Sequence, residues 1–262
     1  MRKAIITIVV TINLLSTAVA ASATDKGTLP PLSQMQVFRE KLATCIKSQT
    51  LADAESYYGA IDDYVAEALD LGWSIDQVNA QLETLQSLDP TMPDPSYDLS
   101  RVLADDRVIY FAEYRVSSWA GSTIRIFERS EGHFRLTFNF TPLAYKSSDI
   151  EEYVSIESTI WTGKEVVILA RCIGSMSGYA PAGSLFLWTY DPKTKLATER
   201  LRLLHKDGLS VRPLSRWNLD VTVEYRPVVD GEVDRARSYR ETYKNISGKY
   251  ELVQRECIRI CK

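Results

Sequence analysis

The apolar residues of this chain change their spacing once, and this change constrains the fold more than any other feature. Between Ser33 and Asp89 they recur every three or four residues, as on one face of a helix. From residue 96 onward they alternate with polar residues, as in antiparallel strands that bury one face. The segment 89–95 between these regions holds three prolines and predicts a linker. The sequence therefore predicts a mainly β protein, with an N-terminal α-helical subdomain at 24–89 and an antiparallel β domain at 96–262.

Three helices are predicted in the first region, each from a polar start signal followed by helical spacing. Ser33, Thr50 and Ser74 stand at the three starts, and the first resembles a capping box. Gly72 is expected to end the second helix, and Asp89 with the following proline to end the third.

The β region contains three stretches with the same layout of strand, loop, strand, polar turn and strand. They cover residues 106–140, 164–204 and 218–256. Their first strands end at Arg115, Arg171 and Arg226, which are 56 and 55 residues apart. Repeats of about 55 residues, each preceded by a short extra strand, would resemble propeller blades. An incomplete propeller, a curled meander or a sandwich fits the same pattern.

Residues 1–23 have the three parts of a secretory signal peptide. Arg2 and Lys3 precede an uncharged apolar stretch, and small residues then allow cleavage after Ala20 or Ala23. The alternative, a membrane anchor, needs about 20 apolar residues, and this stretch is shorter. We therefore expect an exported protein, periplasmic or extracellular, with no transmembrane segment in the mature chain.

All four cysteines lie in the expected mature chain, as Cys45, Cys172, Cys257 and Cys261. An even count in an exported protein predicts disulfides. Cys257 and Cys261 lie on one predicted strand, about 13 Å apart at about 3.3 Å per residue, which is too far for a bond between them. Cys45 is then expected to pair with one of them and Cys172 with the other. A partly reduced set with a buried thiol is the alternative.

The charge of the chain is divided unequally between its two regions. From Asp25 to Asp89 there are four Lys or Arg residues and eleven Asp or Glu residues, a net charge of −7. The remainder of the chain from Pro90 has a net charge of +2. No basic patch predicts nucleic-acid binding, whereas the acidic helical region would suit a basic partner.

The sequence contains no established catalytic, metal-binding or cofactor-binding motif, so no catalytic residue, metal ion or cofactor is expected. Its two histidines, His133 and His205, both lie beside predicted turns, and no nucleophile elbow accompanies them. Acidic residues that could form the paired carboxylates of a glycoside hydrolase are Asp105, Asp106, Glu151 and Glu152.

Three loops at matching positions of the predicted units are the candidate binding surface. The first carries Trp119, the second carries Tyr179, and the third carries Asp230, Glu232 and Asp234. Exposed aromatic residues beside charges are typical of protein or glycan contacts. The alternative is that Trp119 and Tyr179 fold back over the edge of the core.

Taken together, these features predict an exported, non-catalytic binding protein, an inhibitor or an immunity-type partner of a secreted or envelope protein. One alternative is a hydrolase that acts on polysaccharide through paired carboxylates. Another alternative is a structural component of the cell envelope.

Overall fold

The computed structural model describes residues 28–88, 96–117, 121–140, 150–176, 182–212, 214–229 and 232–260. The predicted signal peptide lies outside these residues. A short 3₁₀ helix and three α-helices come first, at Leu32–Gln34, Gln36–Ser48 (α1), Leu51–Asp70 (α2) and Ile75–Gln86 (α3). In the described residues, no helix is both long and apolar enough to cross a membrane.

Two of the three predicted helix starts are confirmed by their caps. The Thr50 hydroxyl accepts a hydrogen bond from the Asp53 amide, and Ser74 forms a complete capping box with Gln77. The capping box predicted at Ser33 is wrong. Ser33 belongs to the 3₁₀ helix, and α1 follows Met35, whose side chain makes no capping hydrogen bond.

The strands form two antiparallel sheets and one small ribbon, which confirms a mainly antiparallel β protein with helices at its N-terminus. The first sheet contains β1 (Ser96–Ala104), β2 (Arg107–Ser117), β3 (Gly121–Ser130) and β4 (His133–Phe140), in that order. The second sheet has the order β13-β12-β9-β8-β7-β6-β5. Its strands are β5 (Ile150–Trp161), β6 (Val166–Met176), β7 (Ala182–Asp191), β8 (Leu196–Val211), β9 (Val221–Arg226), β12 (Arg237–Ile246) and β13 (Lys249–Ile260). The ribbon pairs β10 (Val228–Val229) with β11 (Glu232–Val233).

Separate propeller blades are not seen. The first predicted unit and its preceding strand form the four-stranded sheet, whereas the second and third units lie in one continuous seven-stranded sheet. Strand β8 joins them because it pairs with β7 along most of its length and with β9 near its end.

The first sheet is covered on both faces. Helix α2 packs Tyr58 on Tyr114 of β2, with the rings stacked at 6.1 Å, and this contact belongs to a core shared by all three helices. On the opposite face, Phe111 and Ile126 pack with Phe186 of β7. Strand β3 is therefore buried from residue 122 to residue 128, and the polar residues within that stretch must find partners inside the protein.

Gly208 marks the point at which β8 bends. It has a φ of +58°, a conformation that glycine adopts at little cost, and the β8–β9 register shifts between Asp207 and Ser210. After the bend the chain crosses the sheet, and the Leu214 amide donates to the Ser158 hydroxyl of β5 at 3.2 Å. Strands β9, β12 and β13 thereby cover the other face of β6 and β7, where Leu187 and Tyr243 belong to one hydrophobic core. The sheet is open, and β5 and β13 are its two edge strands.

The outer edge of β1 is protected by a side chain of α3. Asn79 accepts a hydrogen bond from the Leu99 amide at 2.7 Å and donates one to the Leu99 carbonyl at 3.1 Å. It thereby replaces the hydrogen bonds of a neighbouring strand at one position of this edge.

Candidate interaction site

A tight turn between β8 and β9 holds the most exposed large apolar side chain of the described residues. Ser215 and Asn218 close this turn through two backbone hydrogen bonds, each 3.0 Å long. The Ser215 hydroxyl also accepts from the Asn218 amide at 3.1 Å, and Asn218 accepts from the Asp220 amide at 2.9 Å. Reciprocal bonds of this kind fix the backbone of the turn.

The chain on both sides of the turn is tied to the body of the protein. Leu214 is buried below the turn, in the core that contains Leu187 and Tyr243. The Leu219 carbonyl accepts a hydrogen bond from the hydroxyl of Tyr250 at 3.1 Å. The turn therefore stands on a packed base.

Trp217 occupies the tip of this turn, and 91% of its surface is exposed. Tryptophan buries a large area when it can, so an indole held in water on a fixed turn is an unusual arrangement for a side chain that serves only the fold. The guanidinium of Arg216 lies 5.9 Å from the centre of the indole ring. The tip thus combines a large aromatic surface with a positive charge.

The charges near the turn favour an acidic contact. Arg212 and Arg216 are both exposed, and Asp220 forms an ion pair with Lys244 of β12 at 3.3 Å. Because Lys244 neutralises Asp220, the described residues around the tip carry a net positive charge. A partner with a carboxylate beside an apolar pocket would complement it.

The loop residues predicted from the sequence are only partly described. Trp119, Tyr179 and Asp230 lie outside the described residues, and Glu232 is described only as a backbone position in β11. Asp234 shapes its own turn, since it accepts from the Ala236 amide at 2.9 Å and lies 3.6 Å from Arg237. The grouping of these loops into one surface stays a prediction.

The two described carboxylates proposed for hydrolysis have other contacts. Asp105 accepts a hydrogen bond from the indole of Trp161 at 2.9 Å. The Asp106 side chain is 91% exposed and lies 3.9 Å from Arg107. The side chains of Glu151 and Glu152 are outside the described part of the chain.

The histidines and cysteines make few contacts that indicate chemistry. His133 lies 3.0 Å from the carboxylate of Asp70 and is largely exposed, while the side chain of His205 is not among the described ones. Cys45 and Cys257 are free thiols in the structure. Burial raises the pKa of the Cys45 thiol to about 11, which keeps it protonated and unreactive at neutral pH. The Cys172 side chain and Cys261 are not described, so the pairing of cysteines stays a prediction.

Two buried carboxylates are each held by several side chains. Glu241 of β12 accepts hydrogen bonds from the hydroxyls of Tyr225 at 2.7 Å and Tyr243 at 2.6 Å, and from Arg255 at 2.6 Å. Glu128 of β3 accepts hydrogen bonds from Tyr190 and from Lys195. Both carboxylates are fully engaged by these partners, which indicates a structural role.

Lys206 completes the Glu241 network from β8. Its ammonium group lies 3.8 Å from Glu241 and 3.8 Å from the centre of the Tyr225 ring. Burial lowers the pKa of Lys206, and the nearby Glu241 opposes this effect. The ammonium group therefore depends on Glu241 for its charge balance.

Comparisons with family models, with curated proteins and with solved structures gave no match to this chain. Within the described ranges, no group of three or more His, Cys, Asp or Glu side chains could hold a metal ion. Function is therefore inferred from the geometry of the chain itself. The sequence pattern does not identify Trp217 as a candidate, although the flanking Ser215 and Asn218 are typical turn residues.

Proposed function

We propose that this chain is exported and then acts as a non-catalytic binding protein, an inhibitor or immunity-type partner of a secreted or envelope protein. The observation that carries the proposal is the 91% exposure of Trp217 on a turn closed by reciprocal hydrogen bonds. A fixed aromatic residue loses little conformational entropy on binding, so most of its buried surface contributes to affinity. Tryptophan and arginine are also the residues most enriched among those that dominate binding energy.

The proposed partner surface is an apolar pocket that receives the Trp217 indole, with a carboxylate that meets Arg216. Such a contact needs no catalytic group on this chain. A sugar ring stacked on the indole is the other ligand that an exposed tryptophan fits, and the experiment below separates it from a protein.

The test compares Trp217→Ala with Leu103→Ala, because Leu103 of β1 is another exposed apolar residue, at 64%. The chain without its signal peptide is immobilised and exposed to the exported fraction of the source organism, and captured proteins are identified and titrated. We expect Trp217→Ala to weaken binding at least about tenfold, as for other dominant interface residues, and Leu103→Ala to leave it unchanged. Equal capture by both variants would contradict the proposal. Binding to glycans and to no protein would show that the ligand is a sugar.

Export is tested separately, by the N-terminal residue of the protein isolated from outside the cytoplasm. Cleavage after Ala20 or Ala23 predicts a chain that begins at Ala21 or Thr24. A chain that keeps Met1 and is recovered only from the cytosol would contradict this part of the proposal.

The hydrolase and the structural envelope component are retained as alternative proposals. The hydrolase has less support, because Asp105 is engaged by Trp161 and Asp106 is solvated. It predicts glycan hydrolysis that is lost when Asp105, Asp106, Glu151 and Glu152 are replaced together. A structural component predicts that Trp217→Ala changes no binding at all.

A further inference from the structure

Strand β13 is an edge strand that is open to solvent along most of its length. In the described part of the chain it pairs only with β12, and residues 251–259 are all exposed. Three of these exposed residues are large and apolar: Leu252 at 43%, Val253 at 45% and Ile258 at 39%. Nine consecutive exposed residues on a strand of 12 leave a long row of amide and carbonyl groups available for another strand.

The edge strands β1 and β13 differ in how their outer edges are covered. The edge of β1 is capped by Asn79 from α3, as described above. No described residue caps the outer edge of β13 in this way. An uncovered edge is a template for pairing with another chain, and the two register shifts and the charged residues of β13 restrict this pairing to a complementary strand.

We propose that β13 pairs with β13 of a second copy of this chain, antiparallel and with the two-fold axis at Arg255. This pairing would join the two seven-stranded sheets into one continuous sheet across a symmetric dimer. It uses a surface separate from the Trp217 turn and does not depend on the proposed binding function.

The sequence of β13 is complementary to itself in this register. Glu251 lies opposite Arg259 of the second copy, and Leu252 lies opposite its Ile258. By the symmetry, each of these pairs occurs twice. Opposite charges and apolar pairs across neighbouring strands both stabilise antiparallel pairing.

Shifting the axis by one residue in either direction removes the pairing of Glu251 with Arg259 and of Leu252 with Ile258. With the axis at Glu256, Val253 would face Arg259 of the second copy. With the axis at Gln254, Leu252 would face Glu256 of the second copy. Both shifts place an apolar side chain against a charged one, so the register at Arg255 is favoured.

Each of the two arginines that meet at the axis forms an ion pair with a carboxylate of its own chain. The Arg255 side chain donates to Glu241 at 2.6 Å from Nε and at 2.5 Å from Nη2. Glu241 is fully buried and cannot be screened by water. The repulsion expected between two adjacent guanidinium groups is therefore reduced.

The irregularities of β13 lie on both sides of the proposed axis. The register with β12 shifts at Val253, between the pairs that involve Gln254 and Leu252, and again at Ile258, between the pairs that involve Cys257 and Arg259. One bulge thus lies two residues before Arg255 and the other three residues after it. Outside the two bulges, Glu251 pairs with Lys244 of β12 and Arg259 pairs with Ser238. Lys244 and Ser238 lie on the same face of β12, so Glu251 and Arg259 project to one face of the sheet.

Charge reversal tests both the dimer and its register in the purified chain. Sedimentation of the wild-type protein should show a monomer–dimer equilibrium. Glu251→Arg alone and Arg259→Glu alone each create two like-charge pairs and should weaken the dimer by about tenfold. The double variant Glu251→Arg/Arg259→Glu restores opposite charges and should return the dissociation constant to near the wild-type value. A wild-type monomer at every concentration, or a double variant as weak as the single ones, would overturn the proposal.

Cysteine cross-linking gives an independent readout that does not depend on small energies. Residues 251 and 259 of one strand are about 26 Å apart at about 3.3 Å per residue, so they cannot form a disulfide within a chain. In a Cys257→Ser/Cys261→Ser background, which removes the native thiols of this segment, Glu251→Cys/Arg259→Cys should therefore give covalent dimers under mild oxidation. The control Glu251→Cys/Glu256→Cys, which does not match the register, should give few. Equal cross-linking by the two variants would contradict the register, and Trp217→Ala should leave the dimer unchanged.

Discussion

The Nη2 atom of Arg125 lies 2.8 Å from the Oε2 atom of Glu55, and this ion pair joins strand β3 to helix α2. The Arg125 side chain is only 2% exposed, its Nη1 atom lies 3.5 Å from Asp62, and its guanidinium lies 5.2 Å from the centre of the Tyr58 ring. The charge of this arginine therefore depends on two carboxylates of α2, and it ties the helices to the first sheet.

Replacing Arg125 with methionine should destabilise the protein strongly. The change keeps much of the apolar volume but leaves Asp62 buried without its cation, and such losses cost about 3–5 kcal/mol. Urea unfolding of Arg125→Met measures this loss. Arg129→Met is the matched control, because Arg129 lies on the same strand but is exposed over the Phe134 ring, and it should cost about 1 kcal/mol or less. Similar losses for both variants would show that the buried ion pairs do not hold the helices.

Glu113 of β2 should make stability depend on pH. Burial between the sheets raises the pKa of Glu113 to about 7, and the carboxylates of Asp98 and Glu157 add to this effect while the Ile156 amide opposes it. The folded chain then binds more protons than the unfolded chain between roughly pH 4.5 and pH 7. Across this window the free energy of unfolding should fall as pH rises, by at most about 1.4 kcal/mol per pH unit.

Glu113→Gln tests this dependence because glutamine cannot ionise. The variant should match the wild type near pH 4.5 and should be the more stable protein at pH 8. Thermal or urea unfolding at several pH values measures the difference in the free energy of unfolding between the two proteins. The contributions of all other titratable groups largely cancel in this difference. A constant difference between pH 4.5 and pH 8 would contradict the raised pKa.

Glu241 and Glu224 allow a comparison of a buried and an exposed ion pair on neighbouring strands. Glu241 is fully buried among Tyr225, Tyr243 and Arg255, so Glu241→Gln should cost about 3 kcal/mol or more. Glu224 of β9 pairs with Arg240 at 2.7 Å on the partly exposed outer face, so Glu224→Gln should cost about 0–1 kcal/mol. Denaturant unfolding of the two variants measures both values. Equal costs would mean that the buried network contributes no more than a surface pair.

Much of the secondary structure could be predicted from short stretches of sequence. The caps at Thr50 and Ser74 and the start of strand alternation after the prolines are local signals, and the structure agrees with them. Ser33 shows the limit of such signals. The same residue types that begin an α-helix also fit a 3₁₀ turn, and here the chain forms the turn.

The candidate site could not be found in this way. Trp119 and Trp217 are indistinguishable as isolated residues in a β-rich sequence, and only the folding of the chain after Gly208 leaves Trp217 at the tip of an exposed turn. The open edge of β13 has the same origin. Any strand of this sequence could lie inside a sheet, and its place at the edge follows from the order in which the strands pair.

The helical start, the antiparallel strands and the absence of known catalytic motifs follow from the sequence alone, because these depend on residues close together in the chain. Which polar residues are buried, which edge is open and which tryptophan is exposed follow only from the folded chain, because burial and ion pairing join distant segments. Arg125 and Glu55 are 70 residues apart, and no local pattern links them before the sheet and the helix meet.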